Sequence, residues 1–211
     1  MRVSKEQAET NRTSLLQAAG RLFNEKGFDG VGVAEVAKEA RLTHGALYAH
    51  FPSKDALAAE SFSDGIAHRL VAMRGLKLTF EGYLDAMFST RHRDNLANGC
   101  PMTASASEIS RQGPALATSF AQAFEETAAV LEESIEGDLS ASEKRHLAIS
   151  ALAAQIGAIA VARAVAKVDP SLSKEVLRAV RETVTPAPPA KEKKTGRSRH
   201  PHPTRSERTS S

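Results

Sequence analysis

The chain has little of the chemistry on which many protein classes depend. Its 211 residues include no tryptophan, two tyrosines and a single cysteine. One cysteine cannot form an internal disulfide framework and supplies no set of thiol ligands. The sequence also lacks a glycine-rich phosphate loop, an HExxH motif and a recognisable nucleophile motif. We therefore expect no enzyme, no metal site and no cofactor.

The chain also lacks a convincing membrane segment. Its first ten residues, MRVSKEQAET, contain no apolar core of a signal peptide. The most hydrophobic stretch, residues 147–168, is alanine-rich and is interrupted by Ser150, Gln155 and Arg163. We expect this stretch to be a buried helix, with no membrane partner and a cytoplasmic location.

The stretch from Val33 to Leu57, VAEVAKEARLTHGALYAHFPSKDAL, has the spacing of two short helices joined by a tight turn. In its first part, apolar residues recur at i, i+3, i+4 and i+7, which places them on one helix face. These residues are Val33, Val36, Ala37 and Ala40. Thr43 can cap the second helix, and Pro52 ends it. This spacing predicts a helix-turn-helix, whose second helix enters the major groove of DNA.

The second short helix and its flanks carry the side chains that we expect to bind DNA. Small residues let the helix backbone approach base edges, while phenol, imidazole, ammonium and guanidinium groups can reach phosphates. The helix N-terminus beside Lys54 also attracts anions. The predicted DNA-binding residues are Arg41, Thr43, His44, Gly45, Ala46, Tyr48, His50 and Lys54.

An upstream apolar stripe completes a three-helix unit over roughly residues 5–52. It ends at Gly27, as expected of a helix C-terminus. The predicted core of this unit is Leu15, Ala18, Ala19, Leu22, Phe23, Phe28, Val36, Leu47 and Phe51.

With these residues in place, the segment from Arg12 to Leu57 resembles the DNA-binding domain of the tetracycline-repressor (TetR/AcrR-like) family of bacterial transcription regulators. The run LYAHFPSKDAL carries most of the resemblance. The resemblance implies an all-α homodimer of about nine helices per subunit and a larger C-terminal domain that binds a small-molecule effector. It also implies a repressor of transcription that binds a double-stranded DNA operator.

One departure from the family concerns the turn before the second short helix. Arg41 and Leu42 stand where the family usually has glycine and valine. Glycine there commonly adopts positive φ, which costs other residues roughly 1 kcal/mol. Either the turn is ordinary here, or Arg41 accepts mild strain and adds a cation that faces DNA.

We expect three regions: a DNA-binding domain over residues 1–53, an effector-binding and dimerisation domain over residues 54–185, and a disordered basic tail over residues 186–211. In the middle region, patterns and breakers predict one helix after another. These helices run from Lys54 to about Arg74, Phe80 to near Asn98, Pro101 to about Gln112, Pro114 to about Ile135, Ser140 to about Val168, and from Pro170 onward.

Small residues on the penultimate helix suggest where two subunits meet. They are Ala153, Ala154, Gly157, Ala158, Ala160 and Val161. The resemblance places the last two helices at a dimer interface, as a four-helix bundle. The alternative is that this helix is only the core of a monomer.

The effector site is less defined in the sequence. The resemblance places a pocket among the middle helices, where few charges fall on the apolar stripes, so we expect a modest-sized apolar or neutral effector. The candidates are Phe62, Phe80, Tyr83, Met87, Phe88, Met102, Phe120 and Phe124. Ordinary core packing is the alternative for each of them.

Cys100 is a candidate redox sensor. It precedes Pro101 at the start of a predicted helix, where free amide donors favour a thiolate. Similar segments, followed by residues like Glu108, Arg111 and Gln112, recur in one branch of the resembling family, some of whose members sense electrophiles or oxidants. The alternative is a small buried hydrophobic side chain.

The basic tail accounts for the net positive charge. Residues 191–211 hold seven Lys or Arg and two Glu, whereas residues 1–190 hold 21 basic and 23 acidic residues. The tail is either a solubilising end or a cationic arm that adds salt-sensitive DNA affinity.

Two other functions stay open. One is a helical small-molecule-binding protein whose helix-turn-helix is vestigial, against which the intact Tyr48, His50 and Lys54 argue. The other is an activator of the same family, which no residue in the chain excludes.

Overall fold

The structure, a computed structural model, describes residues 4–185 and is entirely helical over them. The predicted tail, residues 186–211, lies outside the described residues. Ten helices follow one another between residues 4 and 185. They are α1 (Lys5–Lys26), α2 (Val33–Glu39), α3 (His44–His50), α4 (Lys54–Gly75), α5 (Phe80–Met87), α6 (Thr90–Asp94), α7 (Pro101–Ile109), α8 (Pro114–Ser134), α9 (Ala141–Val165) and α10 (Pro170–Thr183). The all-α prediction is confirmed.

Side-chain caps fix where several of these helices begin. The Thr43 hydroxyl accepts a hydrogen bond from the Ala46 amide at 3.2 Å, and Ser53 caps α4 in the same way. Ser140 and Glu143 form the complete capping box expected for α9. A side-chain oxygen there satisfies amide donors that the helix itself leaves unpaired. The predicted starts of α3, α4 and α9 are therefore confirmed.

The segment predicted as one helix from Phe80 to near Asn98 is two helices. α5 ends at Met87, and Ser89 has extended backbone, with φ −98° and ψ 153°. The Ser89 hydroxyl accepts a hydrogen bond from the His92 amide at 3.1 Å and so caps the start of α6. This local cap competes with continuation of the helix, and it adds one helix to the expected number.

Helices α1 to α3 form a head with its own core. All nine residues predicted to form that core are at most 8% exposed. Burying aliphatic and aromatic side chains of this size contributes about 1.5–3 kcal/mol each, so even a unit of three helices has a defined interior. The predicted core of the head is confirmed.

The turn between α2 and α3 is strained. Arg41 has φ 57°, in the left-handed region, although it is not glycine. The Leu42 amide then reaches back to the Ala37 carbonyl at 2.8 Å, so the turn keeps its hydrogen bond. Of the two alternatives for this turn, the structure has the strained one, and the Arg41 side chain is exposed.

Helices α4 to α10 form the body. α4 packs against α1 of the head on one side and α8 on the other, while α9 packs against α7, α8 and α10. The buried residues Leu57, Phe62, Ile66 and Leu70 run along α4. One continuous helix therefore joins the core of the head to the core of the body.

Within residues 4–185, one helix is long and apolar enough to cross a membrane. It is α9, with a mean hydropathy of 1.7 over its most apolar window. Its inner residues Ala148, Leu152 and Ile159 are fully buried in the body. Packing inside the subunit accounts for the apolar character of that face. The prediction of a buried helix holds for one side only, because Ala153, Gly157 and Ala160 on the other side are exposed.

Candidate nucleic-acid interface and internal cavities

The residues predicted to bind DNA surround the exposed side of α3. On its inner side, Leu47 and Phe51 are fully buried and fix the helix on the head. Tyr48 is 46% exposed. Of the other seven, four are exposed and three are half-buried. The exposed ones are Arg41, Thr43, His44 and Gly45, and the half-buried ones are Ala46, His50 and Lys54.

The surface of α3 combines an aromatic pair with open space beside it. The rings of His44 and Tyr48 meet edge to face, with centroids 4.9 Å apart. A Cβ added at Gly45 would have no atom within 4 Å. Packing within the chain therefore does not require glycine there, and the helix backbone is free to approach another molecule closely.

The two acidic residues of α2 are paired with basic residues of α1. Glu35 accepts a hydrogen bond from the Lys26 ammonium at 2.5 Å, and Glu39 accepts one from Arg21 at 3.2 Å. This hydrogen bond to the Glu35 carboxylate raises the pKa of Lys26. Because these carboxylates are paired with cations, α2 repels an approaching DNA phosphate less than two free carboxylates would.

Sequence reasoning missed one cation near this face. Lys38 lies on α2, is exposed, and has no carboxylate within 4.0 Å among residues 4–185. The first helix of a helix-turn-helix crosses the DNA backbone. The signal in the sequence that could have identified Lys38 is its position in the last turn of the first short helix, three residues before Arg41.

The head is tied to α7 of the body through three hydrogen bonds. The Phe28 amide donates to the Glu108 carboxylate at 2.9 Å, the Gln112 amide group donates to Asp29 at 3.3 Å, and Asn24 donates to the carbonyl of Ala97, just before α7, at 3.2 Å. These contacts connect the end of α1 and the loop after it to α7 and to the segments on either side of α7. We call this set of contacts the α7 tie.

Gly27 makes the α7 tie possible. It has φ 75°, and a Cβ there would meet the Glu108 carboxylate oxygen at 2.6 Å. A side chain at this position would therefore be strained by the backbone and would clash with the carboxylate. Glycine lets the carboxylate reach the amide of Phe28.

A cavity of about 310 Å³ lies where α1, α4 and the segment before α7 meet. We call it the junction cavity, and its apolar wall is largely aromatic. It is lined by Leu16, Gln17, Gly20, Arg21, Phe23, Asn24, Phe28, Ser61, Phe62, Asp64, Gly65, His68, Arg69, Ala97, Asn98, Gly99 and Pro101. Of the eight predicted effector residues, this cavity includes Phe62.

Three other predicted effector residues, Tyr83, Met87 and Met102, meet at a second space deeper in the body. This inner cleft has a volume of about 10 Å³. A space of that size is at the lower limit for one water molecule. As it stands, these side chains pack as core and leave no room for an effector.

The remaining four predicted effector residues lie elsewhere. Phe80 is buried in the core, and Phe88 borders a surface hollow against α10. Phe120 stacks between Phe62 and Phe124, with centroid distances of 5.9 and 6.5 Å. This aromatic row joins α4 to α8, so its contacts are those of ordinary packing.

A buried polar network crosses the inner cleft. The Tyr83 hydroxyl donates to Gln155 Oε1 at 3.0 Å, and Gln155 Nε2 donates to Thr103 Oγ1 at 2.8 Å. Gln155 Nε2 also lies 3.4 Å from His92 Nε2. Burial raises the pKa of Tyr83. Burial, with smaller contributions from the positive charges of Arg69 and Arg163, lowers the pKa of His92 to about 4.

Cys100 is the N-cap residue of α7, as its position before Pro101 predicted. Its side chain is 4% exposed and lines the inner cleft. A buried nitrogen lies close by: Arg163 Nη2 has no hydrogen-bond partner within the described residues, and it is 3.4 Å from the position of a Cβ at Gly99.

Two family models match this chain. One, described as bacterial regulatory proteins of the tetR family, matches residues 15–60, and the other, described as the C-terminal domain of LmrA/YxaF-like transcriptional regulators, matches residues 79–181. Together they cover most of the head and most of the body. The chain belongs to the TetR family, and it is a DNA-binding transcriptional regulator rather than an enzyme. The family predicted from the sequence is confirmed.

Relatives of known name agree with this family. The chain is 39% identical over 59 residues to the regulator AcrR of Shigella flexneri, covering 28% of this chain and 27% of that protein. It is 29% identical over 133 residues to LmrA of Bacillus subtilis, covering 59% of this chain and 71% of that protein. The AcrR match thus spans about a quarter of the relative's length.

Solved structures support the fold. Reduced NemR of E. coli is 19% identical with a TM-score of 0.63, covering 82% of this chain and 94% of that one. A TetR regulator from Chloroflexus aurantiacus is 22% identical with a TM-score of 0.65, covering 85% and 94%. At these identities the similarity is one of fold.

The buried His92 makes stability depend on pH. Its pKa is about 4 in the folded protein and near the ordinary 6.5 when unfolded. Between these values the unfolded chain binds the extra proton, so the free energy of unfolding falls as pH falls from 6.5 to 4. From pH 7 to pH 5 we expect a loss of about 2 kcal/mol from this residue.

Urea denaturation of the wild type and of His92→Gln at pH 7 and pH 5 measures this effect. The variant should lose less stability than the wild type over the interval, because glutamine does not titrate. His146→Gln, an exposed histidine on α9, should behave as the wild type. Equal pH dependence in all three proteins would refute the assignment.

Proposed function

We propose that this protein is a repressor that binds a palindromic operator as a homodimer and is released by a small effector. The observation that supports this most is the exposed side of α3, where DNA-reaching side chains surround a helix anchored by Leu47 and Phe51. An anchored helix with an open outer side suits entry into the major groove. The division of labour that we propose is residues 1–53 for DNA, residues 54–185 for effector and dimerisation, and a cytoplasmic location.

Within the DNA interface, we assign two roles. Four side chains contact phosphates and orient the head on the duplex, and such contacts carry no sequence information. They are Arg41, Tyr48, His50 and Lys54. Thr43, His44 and Ala46 lie at the start of α3, whose N-terminal residues meet base edges in this motif. The open side of Gly45 allows the close approach that these contacts need.

Dimerisation is needed because one recognition helix reads only a few base pairs. Two heads must reach half-sites about 34–36 Å apart, or a multiple of that spacing. We assign the contact to the outer side of α9 and α10. On α9, Ala153, Gly157, Ala160 and Val161 are exposed, and a Cβ at Gly157 would meet nothing within 4 Å.

The apolar surface continues onto α10. Val161 is 50% exposed and Leu172 is 41% exposed, with Val176 and Val180 half-buried beside them. A stripe of small residues flanked by larger apolar ones lets helices from two subunits pack closely. Ala158, in contrast, is 4% exposed and packs inside the subunit, so it takes no part in this surface.

Release from DNA follows from a two-state equilibrium. In one state the two heads match the operator spacing, and in the other α4, which begins at Lys54, has moved and the heads are out of register. An effector relieves repression substantially if it favours the second state by about 1–3 kcal/mol. An effector that binds both states equally would change nothing.

Modification of Cys100 is a second trigger that we propose. A thiolate that attacks hydrogen peroxide takes one oxygen, forms a sulfenate and releases the other oxygen as water. The new oxygen is an acceptor in a region where Arg163 Nη2 is buried without a partner among residues 4–185. A larger side chain at the N-cap of α7 would displace the helix that carries the α7 tie.

The alternative functions make different demands on the chain. A binding protein with a vestigial helix-turn-helix needs no cations around α3, whereas Arg41 and Lys38, both exposed, and the half-buried Lys54 keep such charges. An activator uses the same DNA contacts as a repressor. Deleting the regulator distinguishes a repressor from an activator, because expression of a reporter gene under the regulated promoter rises if a repressor is lost and falls if an activator is lost.

Lys54→Ala should weaken binding to every DNA sequence, because the lysine contacts phosphate. We expect the slope of log affinity against log salt to fall in magnitude by roughly 1. Fluorescence polarisation with DNA from upstream of the gene and with a random duplex measures both quantities. Arg74→Ala removes a cation from the same helix about 30 Å away and should change neither.

The same assay distinguishes reading of bases from binding of phosphates. His44→Gln should change which duplexes are preferred in a randomised library while keeping most of the non-specific affinity. Unchanged preference with uniformly lower affinity would contradict our assignment of His44. Unchanged affinity in Lys54→Ala would contradict the assignment of Lys54.

Val161→Glu should convert the dimer into a monomer, because it places a charge in an apolar contact. Sedimentation equilibrium measures the mass, and operator affinity should fall with dimer loss. Val71→Glu introduces the same charge at a site on α4 that is 70% exposed, and should remain dimeric. A dimeric Val161→Glu protein would place the interface elsewhere.

Hydrogen peroxide should lower the operator affinity of the wild type and leave Cys100→Ser unaffected. Mass spectrometry should show one added oxygen on the wild-type peptide. Loss of affinity in both proteins, or in neither, would exclude Cys100 as a trigger. The response to a non-covalent effector is independent of this result.

A further inference from the structure

We propose that the junction cavity, rather than the cleft among the middle helices, is the effector site, and that it takes a small molecule with a flat apolar body and one anionic group. The proposal rests on the regulation proposed above. It differs from the sequence expectation of a neutral effector held by the middle helices, and it adds residues of the head, such as Phe23 and Phe28, to the effector-binding region over residues 54–185.

The junction cavity and the inner cleft differ first in volume. The junction cavity holds about 310 Å³, whereas the inner cleft holds about 10 Å³. Pockets for small molecules start at roughly 300 Å³. The junction cavity is therefore large enough for a ligand of modest size without rearrangement, and the inner cleft would have to open.

The apolar wall favours a flat body. Phe23 and Phe28 from the head pack against each other with centroids 5.1 Å apart, and Phe62 from α4 completes the wall. Aromatic side chains attract flat rings through offset or edge contacts. Pro101 and Leu16 extend the same apolar surface.

The charges in the lining favour one anionic group. Arg21 is paired with Glu39, and the Asp64 carboxylate lies 3.4 Å from His68 Nδ1, a contact that is an ion pair only when the imidazole is protonated. Arg69 has no such partner: within residues 4–185 no carboxylate lies within 4.0 Å of it, and its polar contact is Met87 Sδ at 3.6 Å. A guanidinium beside a largely apolar cavity binds a carboxylate or sulfonate strongly.

The position of Arg69 also connects the two spaces. It lines both the junction cavity and the inner cleft. Its positive charge helps to lower the pKa of His92 across the cleft. An anion on Arg69 therefore changes the electrostatic environment of the buried network as well as filling the cavity.

The cavity is placed to move the head. Phe28 forms part of its wall, and the amide of the same residue donates to Glu108. Pro101, at the other end of α7, also lines the cavity. An occupant of the cavity thus contacts the head at Phe28 and the start of α7 at Pro101. If the head moves relative to α7, these contacts change, so the occupant binds the two states of the regulator with different affinity.

Two dyes with one skeleton test the proposal in the free protein. 1-Anilinonaphthalene-8-sulfonate carries a sulfonate, and N-phenyl-1-naphthylamine is the same body without it. In fluorescence titrations of the full chain, Arg69→Gln should weaken the sulfonate dye about tenfold or more, as loss of a hydrogen bond to a charged group does. It should change binding of the neutral dye less than twofold.

Matched variants locate the site. Arg74→Gln removes an exposed cation from the same helix and should leave both dyes unchanged. Ala97→Phe, which fills the cavity from its edge, should weaken both dyes. Asn98→Trp does the same from an exposed position, and circular dichroism checks that each variant is folded. Undiminished dye binding in the folded cavity-filling variants would overturn the proposal, as would an equal effect of Arg69→Gln on both dyes.

Operator binding then separates the cavity from its role in regulation. If the sulfonate dye binds through Arg69 and lowers operator affinity, site and regulation both stand. If it binds through Arg69 and leaves operator affinity unchanged, the anion site stands and effector control through this cavity is wrong. If the protein binds no DNA in any condition, the proposed function fails while the dye result still decides the site.

Discussion

The hydrogen bond between the Phe28 amide and the Glu108 carboxylate is the contact on which the arrangement of the molecule most depends. It joins residues 80 positions apart, is partly buried, and ties the head to α7. A hydrogen bond to a charged group contributes about 1.5–3 kcal/mol. That is a large fraction of the free energy needed to bias two positions of the head. Without it, α4, the contacts of α1 and the two weaker hydrogen bonds of the α7 tie would hold the head.

Two requirements act on α9 at once, which explains its composition. Its inner side must fill the body with Leu152 and Ile159, while its outer side keeps small residues such as Gly157 exposed. A helix with apolar residues all round is expected when both sides are covered. The same feature that resembles a membrane span in a hydropathy plot is accounted for by core packing on one side and by the proposed subunit contact on the other.

Local features were predictable from the sequence, and distant contacts were not. The helix starts at Thr43, Ser53 and Ser140 follow from capping chemistry within four residues. The break at Ser89 was missed, because no glycine or proline marks it and the next clear helix breakers are Asn98 and Gly99. The core of the head was predictable because Leu47 and Phe51 share one short periodic segment.

The effector site was the least predictable part, for a physical reason. The junction cavity takes its wall from α1, α4 and the segment before α7, and no periodic pattern reports a gap between elements so far apart in the chain. In the sequence, Arg69 is one of several charged residues between Lys54 and Arg74, and nothing there sets it apart. Its lack of a carboxylate among the described residues becomes visible only when the neighbouring helices are in place.

The most direct test of this account measures how firmly the body holds the two heads. Spin labels at Ala49→Cys, exposed on α3, in a Cys100→Ser background report the distance between recognition helices by double electron–electron resonance. We expect a narrow distribution in this dimer and a clearly broader one when Glu108→Ala is added. An unchanged distribution in the Glu108→Ala protein would show that the α7 tie does not position the heads.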